Sequence, residues 1–140
     1  MKLVILESPY AGNVRRNLRY ARACLRDSLR RGECPLASHL LYTQEGVLDD
    51  NLPEERALGI EAGLAWGRVA EATVVYTDLG WSKGMLFGVE RAREQGRPVE
   101  VRTLPSLDLS KVLDPCPLLT KVLGRLAGSL RGLGIPFDIP

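Results

Sequence analysis

The chain is poor in the residues that build metal centres and disulfide frameworks: it has one histidine, His39, and three cysteines, Cys24, Cys34 and Cys116. The cysteines are odd in number, widely spaced and free of any CxxC or Cys/His cluster. This excludes the usual zinc-site spacings and leaves buried, reduced thiols as the expectation. With a single histidine, no metal is expected. Charge of one sign is lacking as well: 19 basic and 17 acidic side chains leave a formal charge of +2, which gives little long-range pull toward nucleic acid. No apolar run approaches the roughly 20 residues of a membrane-spanning helix; the stretch 70–77 is short and broken by Glu71. Met1 and Lys2 lead directly into a β-type run without a small-residue cleavage site. A cytoplasmic protein without a signal peptide or membrane span is therefore expected.

What is present is a sustained alternation of strand and helix patterns. Residues 3–6 are continuously apolar, as in a strand buried on both faces, and give way to the turn-rich Glu7-Ser8-Pro9-Tyr10-Ala11-Gly12-Asn13. Residues 14–31 carry Leu18, Ala21, Leu25 and Leu29 at helical spacing, with Gly32 as a stop signal. A second short strand at 34–37 completes a βαβ unit, whose crossover is expected to be right-handed, and residues 39–42 leave the strand end. A polar loop precedes a helix that has Pro53, Glu54 and Glu55 at its start and reaches Val69. Gly59, Gly63 and Gly67 fall on every fourth position of that helix. A helix-interior glycine costs about 1 kcal/mol, so close packing against a neighbour is the favoured reason for the stripe, with ligand access as the rival. Residues 72–77 form the clearest strand, 85–95 a helix closed by Gly96, and 98–101 a last short strand. The segment 104–117 is rich in turn residues, and 118–130 returns to helical spacing as a C-terminal helix. With 140 residues, 45% of them hydrophobic, the expectation is one α/β domain spanning 1–140.

In open parallel sheets, ligands bind outside the carboxyl ends of the strands, where loops and helix N-termini present backbone amides. Three loops of this chain, 8–13, 38–42 and 78–84, are predicted to meet there. In the first, Ser8, Tyr10, Gly12 and Asn13 offer a hydroxyl, an aromatic ring and amides to a phosphate or sugar, while Asn13 equally suits a helix N-cap. The loop matches neither a Walker loop nor the dinucleotide fingerprint GxGxxG, and no cofactor is expected. In the last loop, Ser82, Lys83 and Gly84 combine a hydroxyl, an ammonium and a close backbone approach, which suits a phosphate. Gly84 is expected in a tight turn with positive φ; the plainer alternative is a turn capped by Ser82. Asp78 stands at a strand end, where it either fixes a sugar hydroxyl or a base or makes an Asx-turn. His39 is expected to hydrogen-bond near Tyr42.

Taken together, Ser8-Pro-Tyr-Ala-Gly-Asn13 with Arg16-Asn17, Ala37-Ser-His-Leu-Leu-Tyr42, Asp50-Asn-Leu-Pro-Glu-Glu-Arg56 and Ser82-Lys-Gly-Met85 resemble a family of small phage and bacterial proteins, largely uncharacterised. That family sits in the nucleoside 2-deoxyribosyltransferase-like superfamily. The match covers about the first three quarters of the chain. The resemblance implies a flavodoxin- or Rossmann-like three-layer α/β sandwich with a short parallel sheet. It also implies a carboxylate nucleophile that attacks the anomeric carbon of deoxyribose, so that one hard displacement becomes two. Ser82 and Gly84 match the related pattern of ligand-binding residues. The nucleophile position, one helical turn after that glycine, falls on Gly88. Glu90 is the nearest carboxylate and, with Asp78, an expected catalytic residue, although two residues along a helix turn Glu90 about 200° from that face. Glu61, on the preceding helix, is a possible substitute.

The leading expectation is thus a nucleotide- or nucleoside-binding protein, with or without N-glycosidase or deoxyribosyltransferase activity on a (deoxy)nucleoside monophosphate. The rival is a non-catalytic, phage-borne interaction protein that grips a host protein. It would use the arginines concentrated at Arg15, Arg16, Arg19, Arg22, Arg26, Arg30 and Arg31, or the apolar tail 135–140; a solvated helix face explains the arginines more simply. The resemblance also implies sites completed by a neighbouring subunit. A homodimer is accordingly expected, with helices 54–69 and 118–130 as candidate surfaces.

Overall fold

Strands and helices alternate over residues 1–105, the part of the chain that this computed structural model describes. In chain order they are β1 (Lys2–Glu7), α1 (Val14–Arg30), β2 (Glu33–Leu36), α2 (Ser38–Leu41), α3 (Pro53–Gly67), β3 (Ala72–Tyr76), α4 (Lys83–Glu94) and β4 (Val99–Arg102). The four strands form one parallel sheet in the order β2-β1-β3-β4. This is the flavodoxin-like order, whose direction reverses between β1 and β3. Right-handed crossovers to either side of that point put the connecting helices on opposite faces and open a crevice at the strands' carboxyl ends.

The register decides which side chains enter that crevice. Ile5 lies beside Thr73 and Glu7 beside Val75. Alternate residues of a strand share a face, so these four point to one side of the sheet. Val75 packs there with Met85 and Val89 of α4, which places Glu7 on the α4 side as β1 ends. Tyr76 points the other way and donates its hydroxyl proton to Asp27 of α1 at 2.7 Å. Val4, Leu6, Val74, Val75 and Tyr76 are all buried, which accounts for the unbroken apolar runs of both central strands.

Three local features differ from expectation. Residues 39–42 were expected to leave the strand end, but Ser38–Leu41 form the one-turn helix α2. Helix α4 starts at Lys83, two residues early, because the Ser82 side chain accepts from the Met85 amide and acts as N-cap. Gly84 is consequently inside the first helical turn, and its φ is not positive. Cys34 is exposed while Cys24 is buried, since position 34 lies on the edge strand β2. The turn-rich segment beyond residue 105, the C-terminal helix, the apolar tail, Cys116 and the extent of the domain to residue 140 lie outside the described residues. Among the described residues, no helix is long and apolar enough to cross a membrane.

Candidate functional site

A pocket of about 400 Å³ opens at the carboxyl edge of the sheet, a volume typical of small-molecule sites. Each central element delivers part of it. Ser8 and Tyr10 follow β1, His39 stands on α2 after β2, and Ser82, Lys83 and Gly84 open α4 after β3; all six line the cavity. Helix α3 supplies Gly59, Ile60, Gly63 and Leu64 as a further wall. Its glycine stripe is a packing device. A Cβ on Gly63 would stand 2.9 Å from Ser38 Oγ, one on Gly67 2.9 Å from an Arg97 guanidinium nitrogen, and one on Gly59 3.2 Å from Leu48 Cδ1.

The loop after β1 is tied down by Asn17, whose buried side-chain amide donates to the carbonyls of Tyr10 and Ala11, both at 2.9 Å. Gly12 makes the turn at φ 90° and borders an adjoining depression rather than the pocket itself. Asn13 is the N-cap of α1, accepting from the Arg16 amide at 3.1 Å. Ser8 Oγ and His39 Nε2 are hydrogen-bonded at 2.7 Å, and the Tyr10 ring stands edge-on to the imidazole at 6.3 Å. The Thr43 hydroxyl donates to the His39 carbonyl at 2.6 Å and fixes α2 from behind. Burial pushes the His39 pKa down to about 4, so near neutrality the ring is uncharged. One of its nitrogens then donates and the other accepts, and the Ser8 hydroxyl is oriented accordingly.

Glu7, which was not among the expected site residues, forms part of the pocket lining. It is the last residue of β1, and its carboxyl group lies against Gly88 of α4. A Cβ at position 88 would fall 2.7 Å from Glu7 Cδ and closer still to Oε1. The carboxylate receives no hydrogen bond from the described residues. Burial drives its pKa up to about 7 against the opposing influence of the Arg97 charge. Arg97 is itself buried, and its hydrogen bonds among the described residues go elsewhere: Nε donates to Thr73 Oγ1 at 2.9 Å, and Nη1 to Gln95 Oε1 at 2.5 Å and to the Gly67 carbonyl. The signal for Glu7 in the sequence was an acidic residue closing an otherwise unbroken apolar strand.

The two expected catalytic carboxylates stand elsewhere. Asp78 accepts the Tyr20 hydroxyl proton at 2.6 Å and the Leu104 amide at 3.1–3.2 Å, while its own amide donates to Tyr20 at 3.0 Å. Its carboxylate thus ties β3's exit to α1 and is not part of the pocket lining. Glu90 is exposed and also absent from the lining. Helix α4 buries Met85, Val89 and Ala92 and shows Gly84 and Gly88 to the pocket, so two further residues of rotation carry Glu90 outward. Glu61 is likewise exposed and off the pocket. Among the described residues, no three His, Cys, Asp or Glu side chains gather as a metal site.

Residues 2–102 match a family described as "Domain of unknown function (DUF7768)". No curated protein matches the chain. Among solved structures, it is similar to a 2-deoxyribosyltransferase from the psychrotolerant bacterium Bacillus psychrosaccharolyticus. The TM-score is 0.58 and the identity 14%, over 85% of this chain and 80% of the other. At that identity the likeness establishes the shared flavodoxin-like α/β fold.

Proposed function

The chain belongs to the DUF7768 family, and from its fold and pocket we propose that it binds a nucleoside or nucleoside monophosphate and acts on the N-glycosidic bond. The observation that carries this reading is the convergence of the segments that follow β1, β2 and β3 on one pocket at the β1/β3 switch point. Leu48, Ile60 and Leu64 offer apolar walls to a base. The hydrogen-bonded Ser8 and His39 offer polar groups to sugar hydroxyls. Lys83 and the N-terminus of the 12-residue helix α4 favour a phosphate. The structural likeness to a 2-deoxyribosyltransferase supports the same chemistry.

The test is incubation with the four deoxynucleosides and their 5′-monophosphates, following free base by chromatography and ligand binding by melting temperature. A ligand selective for the folded state raises that temperature by mass action. Release of base from at least one compound is expected; neither release nor stabilisation by any of them would refute the reading. The same reading includes a homodimer, for which Leu58 and Trp66 on α3 provide exposed apolar side chains. Light scattering that finds only monomers at high micromolar concentration would count against it.

A further inference from the structure

Glu7 is an acid that the fold accommodates without satisfying. Its carboxylate sits in a pocket wall with no hydrogen bond from the described residues, and the nearby Arg97 bonds through Nε to Thr73 and through Nη1 to Gln95 and Gly67. Glu7 is half-buried at the cavity wall, and a carboxylate largely withdrawn from water is ordinarily paired or hydrogen-bonded. A strand-end position facing the buried side of α4, which carries Met85 and Val89, would be filled more stably by an aliphatic side chain. The opposite helix has also given way: Gly88 lies inside α4, where glycine is a poor helix former, and any Cβ there would collide with the Glu7 carboxyl group. Two locally unfavourable choices, on separate elements 81 positions apart in the chain, thus combine to hold one carboxylate at the cavity wall. Such a concentration of cost in a cleft marks a working group.

We propose that Glu7 is the nucleophile of this pocket: it is carried on the sheet and fills the space that a side chain at Gly88 would take. The proposal rests on the reading of the pocket as a site for N-glycosidic cleavage. In the first step a Glu7 carboxylate oxygen forms a bond to the anomeric carbon as the bond from that carbon to the base nitrogen breaks. The bonding pair leaves with the base, which takes a proton from solvent. In the second step water attacks the same carbon, the ester bond to Glu7 breaks, and the water's proton passes to solvent. The carboxylate is regenerated and the sugar, with any phosphate it carries, is released. A second base in place of water gives transfer instead of hydrolysis.

The sequence supplies a sharp test. Trypsin cuts after Lys2, Arg15, Lys83 and Arg91, so Glu7 is the only acidic residue of the peptide spanning 3–15 and Glu90 the only one of the peptide spanning 84–91. The full chain is incubated with 2′-deoxy-2′-fluoroarabino nucleosides and their monophosphates. The electron-withdrawing fluorine destabilises the cation-like transition state for breakdown and lets the glycosyl ester accumulate. Mass spectrometry should find the sugar, or sugar phosphate, on peptide 3–15. Glu7→Gln should lower base release by on the order of 10³-fold or more while still showing the ligand-induced rise in melting temperature. In the wild type, single-turnover release should increase as pH rises through 7. Label on peptide 84–91, or release that survives Glu7→Gln, would overturn the role of Glu7 and leave the glycosidic reading standing. Ligand-induced stabilisation of the wild type with no base released from any substrate would overturn both.

Discussion

At the scale of single residues, position and environment separate groups that composition treats alike. Of the carboxylates Glu7, Asp27, Glu61, Asp78 and Glu90, only Glu7 lines the pocket, which it shares with Asp50 and Glu55 of the α2–α3 connection and α3. Asp78 is held by Tyr20 and Leu104, Glu61 and Glu90 are turned outward, and Asp27 binds Tyr76; of the carboxylates that do line the cavity, Asp50 pairs with Arg56 and Glu55 accepts from the Asp49 amide, whereas Glu7 has no hydrogen bond from the described residues. No composition or spacing rule makes that selection, because it depends on the register that sets Glu7 beside Val75. Ser82 is a second case. Its hydroxyl was expected to serve a ligand, yet it accepts from the Met85 amide at 3.3 Å, so Ser82→Ala removes a helix cap. The expected cost is about 0.5–1 kcal/mol of stability, read as a lower midpoint in urea, together with weaker nucleotide binding. Gly84 behaves oppositely. It lies in the first turn of α4 without positive φ, and the nearest atom to a Cβ there is Ser82 Oγ at 3.9 Å. Gly84→Ala should therefore stabilise the fold by roughly 0.5–1 kcal/mol. A lower urea midpoint for Gly84→Ala would contradict this account of the helix start.

Elements were legible in proportion to the length of their periodic pattern. Helix α1 runs for 17 residues with one apolar stripe, and β1 and β3 are apolar throughout their cores, so all three were plain in the sequence. Helix α2 was not: Ser38-His-Leu-Leu41 is a single turn, too short to display a period, and it exists because it packs on α3. Of the glycine stripe of α3, Gly63 follows from that contact. Ser38 is within 2.9 Å of a Cβ on Gly63, whereas Gly59 would meet the end of the Leu48 side chain at 3.2 Å. Gly63→Val should force α2 and α3 apart and destabilise the protein by about 1–3 kcal/mol. It should also weaken ligand binding, since α2 carries His39. Gly59→Ala should be near neutral, because the flexible tip of Leu48 yields and the helix gains propensity. Equal urea midpoints for the two variants would show that the stripe does not hold these helices together.

Across the whole molecule, the pocket imposes two opposed proton costs. Glu7 is raised from 4.5 to about 7 and His39 is lowered from 6.5 to about 4, both chiefly by burial. The folded protein holds a proton on Glu7 that the unfolded chain has lost above pH 4.5, so this group makes stability fall as pH rises from 4.5 to 7. His39 is neutral in the fold while the unfolded chain binds a proton below pH 6.5, so this group makes stability fall as pH drops from 6.5 toward 4. Each displacement is worth on the order of 3 kcal/mol when fully expressed. Between pH 4.5 and 6.5 the two slopes have opposite sign and similar size, and the wild type should be nearly flat there. It should then lose stability slightly as pH passes from 6.5 to 7. Asp27, Glu33 and Glu100 have lowered values and add a loss only on further acidification, which sets the lower bound of the comparison. Removing either pocket group should uncover the other. Glu7→Gln should grow more stable from pH 4.5 to 6.5 and then level off, whereas His39→Gln should grow less stable from pH 4.5 to 7. Urea midpoints at half-unit pH steps resolve changes of this size. If both variants followed the wild-type profile, Glu7 and His39 would titrate as they do in water, and burial in the pocket would not govern their protons.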